Sequence, residues 1–163
     1  MAASRRPGSR RGPPLAADRL ARVAARVLRW EGARRTHVEL SLLGATAMRR
    51  LNRRATGRRG LTDVIAFTLP QPDGAILGDV YICPAAARAF VGSQAGGWTG
   101  GRNGDRRPAA PPDRLQEELV RLAVHGTLHV LGYDHPDGPG RTRSTMWRRQ
   151  ERYVRRLMAQ RRA

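Results

Sequence analysis

The sequence predicts an α+β domain: a small mixed β-sheet with packed helices, and three histidines carried on one helix and the turn that follows it. Three observations lead there. Apolar residues recur at helical spacing near both ends of the chain and ahead of the histidines. Three short segments between those helices read as strands. Three of the four histidines fall within the run VHGTLHVLGYDH, where a helical pattern meets a glycine.

The elements follow in order. Leu20, Val23, Ala24, Val27 and Leu28 place a helix over 16–30, with Asp18 as a cap near its start. Residues 36–43 read as a strand. A helix over 45–55 turns Met48 and Leu51 inward and Arg49, Arg50, Arg53 and Arg54 outward. Residues 62–69 and 75–82 are strands joined by a short turn, which suggests an antiparallel hairpin. Pro84 opens a short helix to Phe90. Residues 92–112 form a long Gly/Pro-rich loop, a length that is commonly functional or disordered. Asp113 caps a helix over 114–131, and a basic helix over 143–161 closes the chain. No internal repeat is present.

At 163 residues the chain is long enough for a single core. Residues 1–14, rich in Arg, Pro, Gly and Ser, are expected to be a disordered basic arm, and 15–163 a single metal-binding catalytic domain. The balance of 31 basic against 13 acidic residues gives +18, and every basic residue is an arginine. So positive a field favours a polyanionic partner. No apolar run approaches the ~20 residues that cross a membrane. Cys83 is alone, so no intramolecular disulfide forms and a reducing cytoplasm is the expected compartment. Asp18, Arg19 and Arg22 interrupt any signal-peptide core near the start.

His125 and His129 are four apart, on one face of a helix. Gly132 can end that helix in a left-handed conformation, and His135 then closes a third corner. Three neutral imidazoles leave one position of a tetrahedral zinc open, the catalytic arrangement, with one ion per chain. The zinc-peptidase pattern H-E-x-x-H-x-x-G-x-x-H matches at every fixed position but one: Gly126 stands where the glutamate base would be. Glycine cannot serve as a base, which argues against peptide hydrolysis by that route. His37, alone in an apolar stretch, reads as structural.

The run HGTLHVLGYDH resembles the signature H-G-x-L-H-L-x-G-Y-D-H of the YbeY family, bacterial rRNA maturation factors described as single-strand-specific endoribonucleases. Only Val130 departs from it. LNRRATGRRGLTDVIAF, from Leu51 to Phe67, is similar to the family's LN…TDVLSF stretch, and LGDVYI, from Leu77 to Ile82, to its LGDI-type strand. The likeness covers roughly residues 16–160. It implies the same fold with zinc at one end of a cleft beside the sheet, and RNA, rRNA or ribosomal particles, as partner. It implies cleavage of single-stranded RNA in maturation of the small-subunit rRNA 3′ end and in ribosome quality control. Many members carry an arginine four residues after the asparagine; here that position is Thr56.

RNA cleavage needs cations where negative charge builds on the phosphate, and arginine grips phosphate bidentately. Arg53, Arg54, Arg58 and Arg59 surround Thr56 and are the candidate RNA-binding residues. Arg59, closest to the TDV strand, is the first choice for the catalytic replacement, with a zinc-bound water as nucleophile. Asp134 either orients a ligand imidazole from behind or caps the turn. Tyr133 can stack on a base or pack inside, Asp63 lies on the strand that lines the cleft, and Met146 reads as helical core. Two other functions compete: a ribosome-assembly factor without catalysis, its zinc structural, and a zinc peptidase or other metallohydrolase.

Overall fold

Leu20, Ala24 and Val27 recur on one side of a helix because each must leave water, and α1 (Ala16–Trp30) buries all three. The computed structural model describes residues 16–95 and 112–160. The arm expected over 1–14 lies outside them, as does most of the 92–112 loop. Further along come β1 (Thr36–Leu42), α2 (Ala45–Thr56), β2 (Val64–Pro70), β3 (Ile76–Ile82), α3 (Pro84–Ala95), α4 (Pro112–Val130), a 3-10 turn over Arg141–Arg143 and α5 (Thr145–Ala159).

The three strands form one mixed sheet in the order β1-β3-β2. β2 and β3 make the expected antiparallel hairpin, with Ile65 opposite Tyr81 and Leu69 opposite Leu77. Gly74, at φ 80°, supplies the left-handed residue of its turn. β1 runs parallel to β3, Leu40 opposite Val80. Val80 and Ile82 of the central strand are fully buried.

α4 lies across this sheet and is the spine of the core. Leu119, Val120, Leu122, Ala123, Val124, Leu128 and Val130 are all buried. Two glycines let it come close. A Cβ on Gly126 would stand 2.5 Å from Val80 Cγ1, and one on Gly78 would stand 2.4 Å from Val130 Cγ1. Each strand or helix glycine thus makes room for a valine of the other element. α1 and α5 pack on α4 from the sides, α5 through Met146, Tyr153, Val154 and Leu157. Met146 is core, as its spacing indicated.

Several boundaries differ from expectation. α3 runs on through residues 92–95, expected in the loop, and Pro112 opens α4. Ala87 and Val91 are buried one turn apart, and that packing carries the helix past Gly92, whose propensity cost is only about 1 kcal/mol. Asp18 and Asp113 sit in the first turns of their helices rather than ahead of them, where their charge still opposes the helix dipole. α5 begins later than expected, because Ser144 caps it: its Oγ accepts from the Trp147 N–H at 3.1 Å. Thr62 and Asp63 precede β2 instead of opening it.

Candidate metal centre

The helix repeat sets His125 and His129 on one side of α4. At its C-terminus Gly132 takes φ 87°, its N–H reaching the His129 carbonyl at 2.9 Å and the Tyr133 N–H reaching that of Leu128 at 3.0 Å. This left-handed ending reverses the chain and returns His135 to the helix. Tyr133 Oη donates to Glu31 at 2.9 Å, Arg149 packs over the Tyr133 ring, and Arg149 also pairs with Glu31. These bonds pin the turn to α1 and α5. Tyr133 is therefore engaged in packing, not free to stack on a base.

The three imidazoles converge. His129 Nε2 lies 3.0 Å and His135 Nε2 3.5 Å from His125 Nε2, and one nitrogen from each falls within 4.8 Å of the others. Donors bound at about 2.0–2.1 Å to a tetrahedral ion stand roughly 3.3 Å apart, so the spacing fits a metal.

Protonation argues the same way. Gln150 Nε2 donates to the Glu151 carboxylate at 3.0 Å, which turns Gln150 Oε1 toward His125 Nδ1 at 2.8 Å. His125 Nδ1 must then carry the proton, leaving the lone pair of Nε2 facing the cluster. His135 Nδ1 points to the Pro136 carbonyl at 3.1 Å, so its Nε2 is also an acceptor. Two lone pairs facing each other without a proton between them suit a cation. Burial pushes His125 down to about 4, partly offset by the Gln150 hydrogen bond, and burial with the nearby His135 lowers His129. Both shifts favour the neutral imidazole that metal ligation requires.

A cleft of about 380 Å³ opens beside the cluster, lined by Asn52, Thr56, Arg58 and Thr62, the β2 residues Val64 to Ala66, and His125, Gly126 and His129. Arg58 is the arginine in that lining; its guanidinium lies 3.9 Å from Asp137. Arg53, Arg54 and Arg59 are exposed and do not line it. Thr56 is occupied locally. Its Oγ1 donates toward Asn52 and accepts from the Arg58 N–H at 3.2 Å, while Asn52 Nδ2 donates to the Gly60 carbonyl at 2.9 Å. Asn52 thus closes the 57–60 loop onto α2, and Gly57 ends that helix at φ 73°.

Asp134 Oδ1 accepts from the backbone N–H of His135 at 2.8 Å, so it caps the turn, and its charge acts on His129 through space. The group behind His125 is Gln150, which the sequence reading passed over. A signal existed: Met146, Gln150 and Val154 recur every four residues, so Gln150 interrupts the apolar face of α5, and it is 2% exposed. Asp63 lies by a second cavity on the far side of His125. His37 is exposed on β1, away from the cluster.

The model of the family described as endoribonuclease YbeY matches residues 14–97 and 106–158. The chain belongs to this family. Relatives named endoribonuclease YbeY include one from Mycolicibacterium paratuberculosis, 34% identical over 109 residues (60% of this chain, 52% of the relative). Another, from Anaeromyxobacter, is 36% identical over 122 residues (74% and 55%). The chain thus spans about half the length of these YbeY relatives. The solution structure of TM1509 from Thermotoga maritima shares the fold, with a TM-score of 0.57 and 23% identity over 90% of this chain and 84% of that one. The α+β class and mixed sheet expected from the sequence are those observed. Among the described residues no helix is long and apolar enough to cross a membrane.

Proposed function

We propose that this chain is a zinc-dependent, single-strand-specific endoribonuclease of the cytoplasm, acting in small-subunit rRNA 3′ end maturation and ribosome quality control. The observation that carries the reading is the opening of the three-histidine cluster onto a cleft that also holds Arg58. His125, His129 and His135 would hold one zinc. Zinc so held supplies Lewis acidity, polarising a phosphoryl oxygen and acidifying a water.

The chain's own residues do the rest. Gln150 orients His125 and fixes its tautomer. Arg58, presented by the loop that Asn52 and Thr56 brace, meets the phosphate and steadies the charge that builds on it. Arg53 and Arg54 on the exposed side of α2, with Arg59, add longer-range attraction for the RNA strand. Peptide hydrolysis is disfavoured. Val80 already stands 2.5 Å from where a Cβ of residue 126 would be, so a glutamate base has no room there.

The test is single-turnover cleavage of labelled single-stranded rRNA by zinc-loaded protein, beside His129→Ala prepared identically. Loss of cleavage in the variant is expected. Equal cleavage by both proteins would leave a nuclease contaminant as the source and overturn the reading.

A further inference from the structure

His125 separates two cavities. One is the Arg58 cleft. The other, of about 370 Å³, lies between α3, α4 and α5 and has a different chemistry. Phe90 forms part of its wall and is 47% exposed, one of four large apolar side chains left so open among the described residues. Trp147 forms another part, half-buried, with the Arg141 guanidinium 5.9 Å from its ring centroid. The floor holds Glu118 and Glu151, both gripped by Arg121: Nη1 donates to Glu118 Oε2 at 2.8 Å and Nε to Glu151 Oε1 at 2.9 Å.

A phosphate would meet carboxylates here, in a chain that is otherwise +18. The cavity therefore suits a flat, uncharged group with a hydrogen-bonding edge. Unpaired RNA bases are recognised in this way, stacked on aromatic rings or arginine planes and bonded along their Watson–Crick edge. We propose that this cavity is the subsite for one unpaired guanine base next to the phosphate that meets the histidine cluster, an inference that rests on the endoribonuclease reading above.

The floor selects the base. Guanine offers two adjacent donors, N1–H and N2–H, and one acceptor, O6. Glu118 is 8% exposed at its side chain, and among the described residues only its Oε2 is hydrogen-bonded, which leaves Oε1 for the base. Burial raises the Glu118 carboxyl from its ordinary value, and the Arg121 hydrogen bond offsets part of that rise. Arg121 is already committed to three glutamates, whereas Arg141, also in the lining, has no side-chain hydrogen bond among the described residues and would be the donor to O6. Adenine and cytosine present an acceptor where guanine has N1–H, and uracil presents one donor between two acceptors. All three meet the carboxylate poorly.

The test is isothermal titration of the full zinc-loaded chain with GMP, AMP, CMP and UMP, none of which contains a bond for an endonuclease to cut. GMP should bind about tenfold more tightly than each of the others. Phe90→Ala, at an exposed position, should weaken GMP about tenfold, the scale of losing one stacking surface. Glu118→Gln should level the four affinities while metal content stays unchanged. Equal affinity for all four nucleotides, or GMP binding untouched by Phe90→Ala, would overturn the subsite. RNA cleavage without guanine preference would leave the nuclease reading intact and remove only this inference. Guanine-selective binding without any cleavage would do the reverse.

Discussion

Gln150 Oε1 on α5 holds His125 Nδ1 on α4 at 2.8 Å, and this one bond decides which nitrogen of His125 faces the cluster. Gln150→Leu removes the acceptor and keeps the volume and burial. Metal affinity should fall about 10–100-fold, with little loss of melting temperature in the metal-free protein. Gln150→Glu retains an acceptor and should lose less. Competition with a chromophoric chelator measures both; unchanged affinity in the leucine variant would mean that the bond does not orient the ligand.

Gly126 is a packing residue. Its replacement by alanine sets a methyl 2.5 Å from Val80 Cγ1, and overpacking of that kind costs about 1–3 kcal/mol. Val80→Ala clears the space. The double variant should therefore be less destabilised than the sum of the two single changes. Denaturant melts of the four proteins check this, and simple additivity would contradict it.

Arg58, not Arg59, lines the cleft beside His125 and His129. Arg58→Ala should lower the cleavage rate about tenfold or more while weakening RNA binding less, as expected of a group acting on transition-state charge. Arg59→Ala should change rate and affinity alike and only slightly. A larger rate defect for Arg59→Ala would return the catalytic role to that residue.

The metal-free protein should lose stability in mild acid. An unfolded histidine takes up a proton near its usual value of about 6.5, whereas burial holds His125 down to about 4 in the folded chain. Between those values the unfolded chain binds more protons, so stability is present above pH 6.5 and drains away as pH falls toward 4. The melting temperature of chelator-treated protein should drop from pH 7 to pH 5. Zinc should oppose that drop until protons displace it. A flat profile over this range would contradict the depressed imidazole.

The histidine cluster was legible in the sequence because its geometry is local. A four-residue step on a helix and a glycine ending place three rings together whatever the rest of the chain does. The β2–β3 hairpin was legible for the same reason, from a short turn with a glycine. What only the tertiary structure decided involves residues far apart in the chain. Gln150 reaches His125 because α5 packs on α4, and no local pattern states which helix faces which. The parallel pairing of β1 with β3 spans two intervening elements, and strand composition carries no sign of direction. Among four neighbouring arginines, the hydrogen bonds that Asn52 and Thr56 make to the 57–60 loop set which one borders the cleft. The run of residues gives their charge; a fold of the loop gives their direction. The second cavity likewise exists only where three helices meet, so its aromatic wall and carboxylate floor have no counterpart in any contiguous stretch of the chain.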